Sequence, residues 1–285
     1  MTLTGRRSRT WVVSAAMRAR RLIALFVVLG LLAGSGGAAR ASSPGPTPHA
    51  STTISVWFKR SARLWYTRRT VANASFPIRT AVRALIAGPN AAESAAGVKT
   101  AIAPGTRLLS TSLSGGVATV NFRQSFASPA PKKRIRMRLA QLTFAATQFP
   151  NVRSVSLEIA GSPVTSIGGV PVPAHMTRAH FARLIPAIVV HTPSIGAHLS
   201  SAIRVTGTSD VFEAAMVVKV LNSGGHRIAA ADLLASCGTG CRGHFAATIT
   251  YHVTNAQNGT IVITDTSGRG GRPPNIVRIP VRLSP

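Results

Sequence analysis

Five cations fall within seven positions, Lys132, Lys133, Arg134, Arg136 and Arg138, at the head of the segment PKKRIRMRLAQLTFAATQF. Side chains at that density can hold the phosphates or carboxylates of a polymer, an anionic lipid surface or an acidic protein. Hydrolytic chemistry would instead need carboxylates that converge. The six acids, Glu93, Glu158, Asp210, Glu213, Asp232 and Asp265, are scattered, and only Asp210 and Glu213 lie close in sequence. No G-x-S-x-G elbow, Walker loop or H-E-x-x-H occurs, so the spacings of acyl transfer, nucleotide hydrolysis and zinc proteolysis are missing. No catalytic residue and no cofactor are expected.

The two cysteines, Cys237 and Cys241 in SCGTGCRG, have three residues between them and do not form C-x-x-C. A disulfide is the favoured reading, because the glycines at 238 and 240 let so short a loop turn tightly enough for the Cα atoms to approach within the ~6–7 Å the bond tolerates. Such a bridge stiffens a turn more than it stabilises a fold. Zinc wants four ligands, and His244 alone stands nearby. His175, His180, His191 and His198 gather in one stretch, but without carboxylate or thiolate company they read as solvated side chains and not as a metal site.

Positioning of these residues begins after an N-terminal leader. RRSRTWVVSAAMRARR is a positive region, LIALFVVLGLLAG a short apolar run, and ARA (Ala39 to Ala41) precedes Ser42. This is the pattern of an export signal over residues 1–41. The apolar run is shorter than the ~20 residues of a membrane span, and an uncleaved anchor stays open as the alternative. LLAGS, at residues 31 to 35, has the outline of a lipoprotein box but places Ser35 where cysteine would carry the lipid, so the chain is not read as a lipoprotein. Removing the leader takes away seven arginines and no acid, leaving 26 basic against 6 acidic residues, net +20. Export therefore does not account for the charge.

Residues 42–51 form a Ser/Pro-rich spacer. The next segment, 52–162, opens with two short strands, ISVWFK and LWYTRR. A helix follows in PIRTAVRALIAGPN, with Pro77 near its start and Gly88-Pro89 ending it and redirecting the chain. TRLLSTSLSGGVATVNFRQ alternates about Gly115-Gly116, a hairpin with Leu109, Thr111 and Leu113 on one arm and Val117, Thr119 and Asn121 on the other. The basic segment is next. Ile135, Leu139, Leu142, Ala146 and Phe149 make one apolar stripe at helical spacing, the cations are expected in water, and Pro150 ends the helix. VRSVSLEIAG is a strand offering Val152, Val155, Leu157 and Ile159 to a core. The order β-β-α-β-β-α-β predicts an α+β unit with both helices on one sheet face. Residues 163–186, rich in Gly and Pro, read as a linker. From 187 to 285 the pattern is short strands with Gly, Pro or Asn at the joints, an all-β sandwich.

Both halves resemble a known pair. ALIAGPN, AIAPGTRLLS, GGVATVNF, AQLTFAATQFPNVRSV and IAG come in the order of the GerMN domain of sporulation and spore germination proteins. IVVHTPSIGAHLSSAIRVTG, VFEAAMVVKVLN, GCRGHFAATITY and VRIPVRL resemble the immunoglobulin-like Gmad domain that often follows it. The resemblance implies a GerMN-like mixed sheet with two helices followed by an immunoglobulin-like sandwich. It implies structural roles for Phe212, whose ring would fill the sandwich core, and Glu213, whose carboxylate would hold a turn. Ala103 stands where family members often carry proline.

The charge is polarised. Residues 50–165 hold 16 cations against Glu93 and Glu158, and residues 181–285 hold 9 against four acids. Trp57, Phe58, Trp65 and Tyr66 interleave with Lys59, Arg60, Arg63, Arg68 and Arg69, a pattern that single-stranded nucleic acid would use. An exported protein meets wall polymer and other envelope proteins first, so nucleic acid ranks third. The leading expectation is a non-enzymatic, secreted or envelope protein of sporulation or germination type that binds a partner protein or anionic wall polymer. A wall-directed enzyme or its accessory factor is the rival, and membrane contact is expected only if the leader is retained. The sequence does not set the oligomeric state.

Overall fold

A computed structural model describes residues 51–72, 76–266 and 273–285, which lie within one compact unit, Pro48–Pro285. The leader and all of the spacer except Ser51 fall outside the described residues. Strand β1 (Ser51–Arg60) turns through Ser61, at φ 54°, into β2 (Arg63–Ala72), and the two pair antiparallel over their full length. Helix α1 (Pro77–Ala87) starts on Pro77, where a missing N–H costs nothing, and buries Ile78, Ala81, Val82 and Leu85 on one face. Gly88 ends it at φ 84°, a conformation that side chains with a Cβ resist.

A short helix, α2 (Ala91–Ala95), follows at once. Asn90 caps it and Glu93 returns the bond to the Asn90 N–H, a reciprocal box of the N-x-x-E type. Strand β3 (Val98–Lys99) then joins the free edge of β1.

The second hairpin, β4 (Leu108–Ser114) and β5 (Val117–Phe122), turns on Gly115 and Gly116 at φ 52° and 81°, as a tight two-residue connection requires. Helix α3 (Lys132–Ala146) crosses over to β6 (Ser154–Ile159), which lies parallel to β5, and β7 (Ser162–Pro163) completes the sheet. The halves of this region therefore form two sheets, ordered β2-β1-β3 and β4-β5-β6-β7, and not one mixed sheet with both helices on a single face. Helix α3 contacts both. Every residue from Met137 to Ala146 is buried, so the helix is enclosed and the apolar stripe is only part of its packing. A helix buried on all sides must satisfy its polar side chains internally. Gln141 accepts from the Ala101 N–H at 2.7 Å and donates to the Trp57 carbonyl at 2.8 Å, and the Thr143 hydroxyl donates to Leu139 O at 2.9 Å.

On β5 the buried residues are Ala118, Val120 and Phe122, and not Val117, Thr119 and Asn121. Leu109 and Leu113 on the edge strand are 45% and 38% exposed. The alternation is real, but its parity follows from pairing with β6, which no local spacing contains.

Residues 163–186, whose composition reads as a linker, are folded. They hold the ribbon β8 (Ser166–Ile167) and β9 (Val170–Pro171), a bridge between Met176 and Val155, and a 3-10 helix over Arg178–Leu184. Val170, Val172, Met176 and Phe181 are buried in the core. Gly and Pro here make tight reversals and do not loosen the chain.

The remainder consists of β10 (Ile188–Thr192), β11 (His198–Leu199), β12 (Ile203–Ser209), β13 (Ala215–Leu221), β14 (Arg227–Leu234), β15 (Gly243–Ile249), β16 (Gln257–Asp265) and β17 (Ile276–Leu283). They form two sheets, β10-β12-β15 and β11-β17-β16-β13-β14. Alternate residues such as Met216, Val218 and Val220, or Val277, Ile279, Val281 and Leu283, are buried, as strands with one covered face demand. Buried apolar residues of both halves belong to one continuous core.

Candidate anion-binding site

Helix α3 divides the five cations into different roles. Lys132, Lys133 and Arg134 are exposed in its first turn, where the positive end of the helix dipole costs about 0.3 kcal/mol for each cation. Arg136 is exposed too, but its guanidinium donates to His180 O at 2.9 Å and lies 5.9 Å from the Phe181 ring. Arg138 does not belong to this surface. It is 1% exposed, with Nε donating to Ala101 O at 3.1 Å and Nη1 donating to the carbonyls of Phe126 and, at 3.0 Å, Ser128. Burial, and then the charge of Arg134, lowers its pKa from the ordinary arginine value. At the other end of the helix Arg178 donates to the Thr147 hydroxyl at 2.9 Å and lies 4.8 Å from the Phe144 ring. That placement is favourable, because the last carbonyls carry the negative end of the dipole.

Glu93, one of only two acids in residues 50–165, is withdrawn from the surface. It is 1% exposed and accepts from Arg69, from the Thr67 hydroxyl and, at 2.9 Å, from the Asn90 N–H. Burial raises its pKa; the hydrogen bonds from Arg69, Thr67 and Asn90 and the charge of Arg69 outweigh that and leave it below the usual carboxylate value. Arg69–Glu93 is the one ion pair among the described residues. The positive field of this half is thus left almost without internal compensation.

Four further guanidinium groups line one cleft of about 580 Å³, where the β1–β2 turn meets the all-β half. Arg60 and Arg63 flank that turn, Arg242 lies just before β15 and Arg278 is in β17, and the carboxylate in the lining is that of Asp210. Arg60 lies 4.8 Å from the Trp65 ring and donates to Arg278 O at 2.7 Å. Arg242 donates to Pro186 O at 2.9 Å. Burial lowers the pKa of both Arg60 and Arg242; the charge of Arg278 lowers Arg60 further, while Asp210 opposes the shift at Arg242.

The aromatic residues interleaved with cations do not make an open platform. Trp57 and Phe58 are 6% and 0% exposed, Tyr66 packs against His191 at 4.6 Å, and half-buried Trp65 carries Arg60. Stacking of successive bases needs free ring faces, so the nucleic-acid reading loses its strongest support. Burial, followed by the charges of His244, Arg68 and Arg242, holds His191 below the usual imidazole pKa. His175, His180 and His198 are exposed, and no group of three or more potential metal ligands converges among the described residues.

Cys237 and Cys241 meet as a disulfide with Cα atoms 5.8 Å apart. Their loop holds the wall of the cleft: the Gly240 N–H donates to Asp210 Oδ1 at 3.1 Å, and Arg242 directly follows the second cysteine. A Cβ on Gly238 would stand 2.3 Å from the Ala214 nitrogen, so the loop packs hard on the turn at 212–214. In that turn Phe212 is half-buried while Val211 and Ala214 take the buried positions, and Glu213 is exposed. It is the Glu213 backbone N–H, at φ 53°, that holds the turn by donating to the Thr239 hydroxyl at 3.0 Å. Intact-mass measurement of the protein recovered from an oxidising compartment should therefore show both thiol hydrogens missing, and two alkylatable thiols would refute the bridge.

Comparison with known families finds two matches. The family described as sporulation and spore germination (Germane) matches residues 53–165, and the immunoglobulin-like domain of bacterial spore germination (Gmad2) matches residues 187–272. No curated protein sequence matches the chain. Among solved structures, the first GerMN domain of the sporulation protein GerM from Bacillus subtilis is 18% identical, with a TM-score of 0.37, over 45% of this chain and 98% of that one. The tandem GerMN domains of the same protein are 14% identical, with a TM-score of 0.39, over 64% of this chain and 60% of theirs. A Clostridium perfringens protein described as a putative lipoprotein is 16% identical, with a TM-score of 0.35, over 47% of this chain and 93% of its own.

Proposed function

The chain carries a Germane domain of the sporulation and spore germination family followed by a Gmad2 immunoglobulin-like domain, and on that premise we propose that it is an exported, non-enzymatic envelope protein that binds anionic wall polymer. The carrying observation is the uncompensated field of the first half, where Glu93 is spent on Arg69 inside the fold while Lys132, Lys133 and Arg134 stand in water. A surface of that kind attracts polyanions over a Debye length of about 8–10 Å and releases them in salt. The leader at residues 1–41 supports export, and Ser35 at the lipobox position supports an unlipidated product. Among the described residues no helix is long and apolar enough to cross a membrane. We read the two sheets of residues 187–285 as the faces of an immunoglobulin-like sandwich that serves as a spacer or adhesion module.

Purified sacculi should retain the protein at low salt and release it as salt rises. The variant Lys132→Gln/Lys133→Gln/Arg134→Gln should bind about tenfold more weakly, since each exposed contact contributes about 0.5 kcal/mol. Absence of retention at low salt would sink the wall-binding reading, and release of soluble muropeptides would replace it with an enzyme.

A further inference from the structure

The geometry points to a second site: the cleft between the β1–β2 turn and the all-β half binds a small ligand bearing at least two oxyanion groups, phosphate or carboxylate, between Arg60, Arg63, Arg242 and Arg278. It goes beyond wall binding by the α3 surface and uses none of the same residues.

Charge is the first argument. Four guanidinium groups share the cleft with one carboxylate, Asp210, and that carboxylate already accepts from the Gly240 N–H. Like charges held together in a partly desolvated space repel unless an anion lies among them. The second argument is donor supply. A guanidinium has five N–H donors in a planar fork; Arg242 is committed to the carbonyls of Pro186, Ala187 and Thr208, whereas Arg60 uses one donor on Arg278 O, Arg63 one on Arg183 O, and the Arg278 side chain donates to nothing among the described residues. Forks with free donors pair bidentately with phosphate or carboxylate.

Shape is the third argument. A volume of about 580 Å³ falls within the range of about 300–1,000 Å³ typical of small-molecule sites. Leu64, Ile188 and Val277 line it with apolar surface, which strengthens charge interactions by keeping water away. The parts are also held in place independently. Arg60 rests on Trp65, Arg242 is tied to Pro186 O, and the disulfide loop fixes Asp210. Ordering cost on binding is correspondingly small.

Calorimetric titration of the purified protein with pyrophosphate and with citrate, each against sodium chloride of equal ionic strength, tests the site. Saturable binding of either anion is expected, with chloride giving none. Which of the two binds tighter identifies phosphate or carboxylate as the natural group. Arg60→Gln/Arg278→Gln should raise Kd at least tenfold. Arg278→Glu serves as a second variant, because the side chain is exposed and makes no hydrogen bond that folding could miss. A heat no larger than that of chloride, or wild-type affinity in both variants, would overturn the proposal. Sacculus retention is measured separately, so either site can fail while the other stands.

Discussion

Replacing Arg138 by methionine should lower folding stability by about 3 kcal/mol or more, although the residue sits in a run of cations that looks entirely solvated. Methionine fills the aliphatic volume but donates nothing. The buried carbonyls of Ala101 and Phe126 and the half-buried one of Ser128 then lose their donor, and each unpaired buried group costs about 1–3 kcal/mol. The three carbonyls lie on two segments, one after β3 and one after β5, so the guanidinium ties both to α3. Lysine should recover only part of the loss, because a single ammonium cannot reach carbonyls on both segments with the geometry of a planar fork. Urea midpoints decide the matter. The triple glutamine variant at Lys132, Lys133 and Arg134 should unfold within about 0.5 kcal/mol of wild type, and a wild-type midpoint for Arg138→Met would remove the structural role assigned to this cation. Sacculus binding must therefore be tested without altering Arg138, since a five-residue replacement would confound unfolding with lost charge.

Arg138 was legible on helical spacing, which places it three residues after Ile135 and four before Leu142, on the apolar stripe itself. Charge density drew attention to the run as a whole and hid that one member faces inward. The Asn90-Ala-Ala-Glu93 box was missed although its signal is local, both reciprocal bonds lying within four residues. Other features were not legible. Parity on β5 depends on the parallel partner β6, and the packing of residues 163–186 depends on Met176 bridging to Val155. Their common property is that the deciding contact is remote in sequence. The cleft shows this most fully. Arg60 and Arg63 flank one hairpin turn, Arg242 comes from the loop before β15 and Arg278 from β17, both far along the chain, and no spacing rule joins them. Strand positions in the second half could be read from alternation and turn residues, but the order β11-β17-β16-β13-β14 could not. Tight turns at Gly88 and Gly115-Gly116 were readable because a positive φ is a local demand.

Glu93→Gln should cost about 3 kcal/mol, the loss expected when one member of a buried ion pair is removed. Glutamine keeps the shape and one acceptor oxygen. Its amide nitrogen, however, turns a donor toward an Arg69 N–H in either orientation, and toward the Thr67 hydroxyl or the Asn90 N–H besides. The capping bond to α2 and the tie to β2 weaken together. Acid should act on the wild-type protein in the same direction. Because the folded Glu93 carboxyl titrates below its unfolded value, the unfolded state binds more protons as pH falls below about 4.3. The stability that Glu93 contributes is full above that pH and is lost as pH falls through the folded pKa. A profile of unfolding free energy against pH should show this acid limb in the wild type and a shallower one in Glu93→Gln, with the two curves converging at low pH. Parallel curves would mean that Glu93 is not the group protonated. A shallower limb would establish that the carboxylate serves Arg69 and Asn90 within the fold, and that it is unavailable to neutralise the cations on the surface of the same domain.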